Sequence, residues 1–247
     1  MQIAILLYPG LTALDALGPF ELLRGIPGAE IRLVWKEVGP VLTDSNVLVV
    51  GATHRLDETR RPDLVLVPGS SNRTTTLMAD AEVKAWLRHA HDHTRLTTSV
   101  CSGALILGAA GLLEGRAATS HWAALPWLSQ FGAQARPHDR IVRDGKVWTA
   151  AGVSAGIDLA LAVVAEVADE ETARVAQLTI EYDPRPPFDS GHMDKAHPRT
   201  IERAKREMLA ASLNASELIA LPSVLSRAWA RALYRKVRGE PVPAPVP

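Results

Sequence analysis

The stretch Thr97–Leu113, "TTSVCSGALILGAAGLL", decides the reading of this 247-residue chain. It holds the only cysteine, Cys101, and places it where one pattern gives way to another. Before it, "RLTTSV" (Arg95–Val100) is short and β-branched, as a buried strand is. After it, "SGALILGAAG" (Ser102–Gly111) is apolar, rich in small residues and ends on a glycine suited to a left-handed helix cap. The junction predicts a cysteine on a strand-to-helix turn. "SVCSG" has the shape of a nucleophile elbow, with Gly103 leaving room for the turn and Ser99 standing where elbows often carry Gly. Free N–H groups and the positive end of the helix dipole would favour a thiolate there. The competing reading is a buried structural cysteine, because a free thiol packs like a small hydrophobe. The residues of this stretch leave both open.

Outward from this junction, strands and helices alternate. "QIAILLYPG" (Gln2–Gly10), "EIRLVWKEVG" (Glu30–Gly39) and "PDLVLVPGSS" (Pro62–Ser71) are apolar runs closed by turn residues. "LTALDALGPFELLRG" (Leu11–Gly25) has helical spacing but contains Pro19, which predicts a helix that is short, kinked or begins near Pro19. "VLTDSNVLVVGATHRL" (Val41–Leu56) reads as hairpin material, and "DAEVKAWLRHAHDH" (Asp80–His93) as an amphipathic helix. "DRIVRDGKVWTAAG" (Asp139–Gly152) is a hairpin about Asp144-Gly145. "SAGIDLALAVVAEVAD" and "EETARVAQLTIEY" are two more helices. The alternation argues an α/β fold, with a mostly parallel sheet sandwiched by helices.

The organisation predicted is an α/β domain over residues 1–190, a helical extension over 191–238 and a proline-rich tail over 239–247. "DPRPPFDSGHMDKAHPRT" (Asp183–Thr200) is a loop or linker rich in Pro, Asp and Gly. In the basic extension, "IERAKREMLAASL" and "LSRAWARALYRKVR" are helical. The second sets Leu225, Trp229, Ala232 and Leu233 against Arg227, Arg231 and Arg235, the pattern of a helix that docks on the body or on a second subunit. Formal net charge is zero, which gives no bulk attraction to nucleic acid or to a membrane surface. A single cysteine rules out an internal disulfide and a Cys-cluster metal site, and suits a reducing compartment. The N-terminus lacks the basic region and long apolar run of a signal peptide, and no apolar run is long enough to span a bilayer. A cytoplasmic protein is expected. His89 and His93, four apart on a helix, read as a surface face because no acidic third ligand accompanies them.

The run Cys101–Trp122, "CSGALILGAAGLLEGRAATSHW", resembles the ThiJ/PfpI superfamily, whose fold is the flavodoxin-like fold of class I glutamine amidotransferases. "LTALDALGPFELL", "DLVLVPGSS" and "RIVRDGKVWTAAGVSAGIDLALAVVAE" extend the resemblance in order and spacing across residues 1–190. "LVWKEVGPV" and "EYDPRPPFDSG" are similar to segments of the isonitrile (isocyanide) hydratase branch.

The resemblance implies that Cys101 is the nucleophile and Asp15 the acid beside it, where other branches use Glu. The competing role for Asp15 is an N-cap for the Pro19 helix. The loop after Pro68 would supply an oxyanion-type backbone N–H from Gly69 or Ser70, with the Ser70 side chain entering the pocket wall where the family often has Gly. Ser102 replaces a Thr and keeps its hydroxyl. His121, in "TSHW", is a candidate for the site, with packing as its competing reading. Trp122 and Trp127 would be core or pocket wall.

No metal and no organic cofactor is implied. The expected partners are a small-molecule substrate and a second copy of the chain. The implied reaction hydrates an isocyanide to an N-substituted formamide through a Cys101 thioimidate. Two alternatives remain. One is another enzyme of the superfamily. That enzyme is a glyoxalase-like member, which would expect Glu in place of Asp15, or an amidase; a peptidase would expect His in place of Ser102. The other is a redox- or ligand-sensing module, although the extension is too short for a double helix-turn-helix unit.

Overall fold

Short apolar runs bounded by turn residues become strands, and the periodic runs between them become helices. In chain order the elements are β1 (Gln2–Leu6), α1 (Ala13–Leu23), β2 (Glu30–Trp35), β3 (Gly39–Leu42), β4 (Val49–Ala52), β5 (His54–Arg55), β6 (Leu64–Val67), α2 (Thr74–Ala79), α3 (Ala81–His93), β7 (Leu96–Val100), α4 (Gly103–Ala110), β8 (Ala117–Ala118), α5 (Leu125–Leu128), β9 (Gln134–Ala135), β10 (Ile141–Asp144), β11 (Val147–Ala150), α6 (Ala155–Val167), α7 (Glu170–Thr179), α8 (Pro198–Ser212) and α9 (Ala215–Arg238). The computed structural model describes residues 1–212 and 215–238, the side chains of residues 215, 227–229 and 231–238 excepted. The proline-rich tail, and the opposed faces expected about Trp229 and Arg231, lie outside the described residues.

The main sheet has the order β10-β11-β7-β6-β1-β2-β5. All neighbouring pairs are parallel except β10 with β11, the hairpin about Gly145. Every residue of β6, β7 and β11 is buried, as are four of the five in β1. Helices on both faces remove these strands from water, so they carry continuous apolar runs rather than alternation. Helix α1 packs on α6 and α6 on α7, while α4 receives α2 and α3.

From β1 the chain goes to β2 on one side and later to β6 and β7 on the other. The order therefore reverses between β1 and β6, and a crevice opens beyond the carboxyl ends of the strands, where open α/β sheets hold their ligands. Cys101 follows β7, Gly69 lies just past β6, Asp15 sits early in the helix after β1, and Val153 follows β11.

Helix α1 begins at Ala13 and runs through Pro19, not from it. Proline removes one intrahelical donor. Burial of Ala16, Pro19, Leu22 and Leu23 from the same helix offsets that loss. Helix α8 begins at Pro198, within the segment read as a loop, because proline suits a first helical turn. Helix α2, in "TTTLMA", escapes a periodicity reading because three consecutive threonines carry no helical pattern. Helix α9 starts ten residues before the expected helix and contains Pro222.

Gly103 and Gly111 carry out the two tasks expected of them. Gly111 has φ +90° and closes α4. A Cβ on Gly103 would lie 2.1 Å from the Val67 carbonyl oxygen. Because that neighbour is backbone in a central strand, it cannot turn aside. Gly103→Ala is expected to cost about 3 kcal/mol or more, as overpacking against an unyielding wall does. Urea unfolding of the variant beside the parent measures this.

Candidate active site

Cys101 has φ +59°, in the left-handed region that side chains other than glycine rarely adopt. The turn is held from both sides. The Cys101 N–H donates to the Ala151 carbonyl at 2.8 Å, and the Ser120 hydroxyl donates to the Cys101 carbonyl at 2.7 Å. These bonds tie the turn to the end of β11 and to the segment after β8. Backbone strain maintained by its surroundings in this way is a mark of functional turns. The side chain is 7 % exposed. The Ser99 hydroxyl, on the strand below, is buried and finds no partner among the described residues.

Asp15 is the third residue of α1, so it does not cap that helix; Thr12 holds the N-cap position. Its side chain is fully buried. Oδ2 accepts the Gly69 N–H at 2.8 Å, while Oδ1 takes no N–H or O–H. The carboxyl lies beside the Cys101 thiol, near enough for each to shift the other's pKa. Burial raises the Asp15 pKa to about 7, against partial relief from the Gly69 N–H and the thiol. The thiol itself is pushed well above its ordinary range, first by burial and then by the Asp15 charge. The N–H groups of Ser102 and Val153 point at the sulfur and pull the other way, but less strongly. The resting thiolate expected from the helix terminus is therefore not what this environment favours. Desolvation and a neighbouring carboxylate outweigh the dipole, so sulfur keeps its proton while Asp15 titrates near neutral pH.

The Gly69–Ser70 loop is engaged differently from the expectation that it would offer a free backbone donor. Its first N–H is committed to Asp15, and the Ser70 N–H donates to Ser102 Oγ at 3.0 Å. The N–H groups that act on the thiol's pKa are instead those of Ser102 and Val153, and nothing in the local sequence marks Val153. Ser70 lines the cavity, but its hydroxyl turns away, donating to the Gly10 carbonyl and accepting the Arg73 N–H at 2.9 Å. Ser102 Oγ also pairs with Thr74 Oγ1 at 2.8 Å, which locks the residue after the cysteine to the start of α2.

The thiol opens into a cavity of about 580 Å³ with mostly apolar walls. Leu105, Phe131, Trp127 and Met78 line the body of the domain, and His121 and Val153 stand near the elbow. Burial lowers the His121 pKa to about 4, so the ring is neutral near pH 7. His121 Nδ1 accepts the Ala123 N–H at 3.3 Å, and the ring stacks at a tilt on Trp122. Trp122 packs against the core. The structure thus brings Cys101, Asp15, Ser102, Gly69 and Ser70 together, with His121 on the same cavity wall. His89 and His93 do meet, their rings 4.8 Å apart, with His93 Nδ1 on the His89 carbonyl, but among the described residues no carboxylate joins them. A separate exposed group, His138, His192 and Asp194, converges outside this cavity.

Residues 1–166 match the model of the DJ-1/PfpI family. The chain belongs to the DJ-1/PfpI family. It is 40 % identical over 206 residues to an isonitrile hydratase from Pseudomonas putida, covering 83 % of this chain and 89 % of that protein. The crystal structure of a ThiJ/PfpI family protein from Pseudomonas syringae is similar at a TM-score of 0.80 and 40 % identity, covering 89 % of this chain and 90 % of that one. A shorter match, 34 % identical over 116 residues, is to the HTH-type transcriptional regulator GlxA of Rhizobium meliloti and spans 36 % of it. Among the described residues no single helix is long and apolar enough to cross a membrane.

Asp15→Asn separates the carboxyl's charge from its shape. A folded pKa raised above the unfolded value gives stability that is complete below the unfolded pKa, near 3.8, and is lost as pH rises through about 7. The uncharged variant escapes that loss. Relative to the parent it should gain on the order of 4 kcal/mol between about pH 4 and pH 8, read by urea unfolding at both. Removing the negative charge should also move the pH midpoint of Cys101 alkylation by iodoacetamide downward.

Proposed function

We propose that this chain is an isonitrile hydratase, converting R–NC and water to R–NH–CHO. The observation that carries the reading is a fully buried carboxyl, its pKa raised to about 7, beside a cysteine on a strained elbow. The 40 % identity with the Pseudomonas putida hydratase supports it.

In this reading the Asp15 carboxylate takes the thiol proton as sulfur attacks the terminal isocyanide carbon and the C–S bond forms. The N–H groups of Ser102 and Val153 stabilise the negative charge on sulfur during that transfer. Asp15 then returns the proton to the same carbon, giving the thioimidate R–N=CH–S–Cys101. Ionised again, Asp15 takes a proton from water as the oxygen adds to that carbon, and passes it to the nitrogen. The C–S bond breaks, the formamide leaves, and the hydroxyl proton returns to sulfur through Asp15. One nucleophile and one carboxyl that alternates between base and acid are sufficient. The apolar walls of the cavity would receive R.

A glyoxalase-like activity of the same site is less well supported, because Asp15 is shorter than the Glu it expects, and a peptidase activity is too, because Ser102 stands where it expects His. A peroxide-sensing role wants a low-pKa thiolate, and burial pushes this thiol up.

Purified protein incubated with an aromatic isocyanide should form the N-formamide, followed by absorbance. Cys101→Ala should form none, and Asp15→Asn should lose at least about 100-fold, the usual scale of acid–base catalysis. Because Asp15 must be ionised to take the thiol proton, kcat/KM should fall as pH drops through about 7. Alkylation of Cys101 without turnover of any isocyanide would refute the reading.

A further inference from the structure

The cavity above Cys101 is not enclosed by the family domain alone. Residues 1–166 match the family model, yet Met208, Leu209, Leu221, Val224 and Leu225, all from the C-terminal extension, complete its lining. Helix α8 and the described start of α9, Ser216–Ser226, meet at 98°. An amphipathic extension turned through such a corner could lie anywhere on the domain. One buried carboxylate ties it to the domain.

Glu217 is 8 % exposed. Its Oε2 accepts the Thr75 N–H at 2.8 Å, and its Oε1 accepts the Thr76 N–H and the Thr76 hydroxyl, both at 2.7 Å. These backbone donors belong to the first turn of α2, where N–H groups have no intrahelical acceptor. A carboxylate there meets both free donors and the positive end of the helix. The N-cap position of α2, Arg73, supplies no side-chain cap of its own, and its guanidinium instead donates to the Ser216 hydroxyl. Residues distant in sequence therefore provide the cap that α2 lacks. Thr74, the residue before the two capped donors, pairs with Ser102 beside the cysteine. The latch and the reactive turn are joined through α2.

We propose that Glu217 is a positioning residue that fastens the extension over Cys101, and that the apolar face it brings in, chiefly Leu221, Val224 and Leu225, selects substrate by the size of R. The latch favours ring-sized apolar groups that reach this wall and excludes reagents too bulky to pass beneath it. The selection by R rests on the hydratase reading; the enclosure of Cys101 does not.

Two readouts keep those claims apart. Cys101 alkylation is timed with iodoacetamide and with N-(1-pyrenyl)maleimide, in the parent, Glu217→Ala and Leu221→Trp, each checked for folding by circular dichroism. Glu217→Ala should raise the ratio of bulky to small reagent rates at least tenfold. Leu221→Trp, which narrows the opening with the latch intact, should lower it. Kinetics with methyl and cyclohexyl isocyanide then test selection: Glu217→Ala should raise the ratio of cyclohexyl to methyl KM about tenfold, the cyclohexyl ring losing contacts that methyl never makes. Unchanged alkylation ratios in both variants would overturn the proposal whatever the activity. Changed alkylation ratios with no turnover of either isocyanide would uphold the enclosure and refute the hydratase reading. Changed alkylation with an unchanged KM ratio would overturn the selection by R.

Discussion

A Cβ on Gly103 would sit 2.1 Å from the Val67 carbonyl oxygen, and that close approach is the constraint on which the site rests. It allows α4 to begin directly against the end of β6. The turn between β7 and α4 must then reverse within two residues, Cys101 and Ser102, and Cys101 takes the left-handed backbone conformation that this reversal needs. The same approach brings the Gly69–Ser70 loop against Ser102: a Cβ on Gly69 would lie 2.6 Å from both the Ser102 nitrogen and its hydroxyl. Gly69 is then free to hold Asp15 through its N–H. Two missing methyl groups thus set the distance between thiol, carboxyl and loop.

The electrostatics follow from that geometry. A helix terminus and two N–H groups would make an exposed cysteine acidic. Here the thiol is buried beside a carboxylate, and the cost of an isolated buried charge exceeds what the dipoles return. Burial raises Asp15 for the same reason. Near neutral pH the thiol therefore keeps its proton beside a carboxyl that titrates there. That is a different device from a permanently ionised thiol, and it suits chemistry in which one proton must leave sulfur and arrive on carbon.

The extension adds a second layer to the same logic. Helix α2 is short and poorly capped from its own sequence, and its first-turn N–H groups are satisfied by Glu217. A shortage of hydrogen-bond partners in the domain thereby becomes an attachment point for a segment outside the family-matched region. The apolar roof of the cavity follows from that attachment.

Much of this was legible in the sequence. Period and punctuation placed the main strands, most of the helices and the cysteine junction, because doubly covered strands leave long apolar runs and turns need glycine. The resemblance carried Asp15 and the Gly69–Ser70 loop to the same site. Tertiary structure decided the rest. Pro19 sits inside α1 because packing outweighs one lost bond, and Val153 faces the sulfur only because β11 ends beside β7. The direction of the thiol's pKa depends on burial, which local sequence does not report. The Glu217 cap joins residues more than 140 positions apart, a partnership that no local pattern encodes. Sequence determined the elements and the reactive residue types, which depend on near neighbours; the fold decided the protonation state and the enclosure of the site, which depend on groups that meet only when the chain closes on itself.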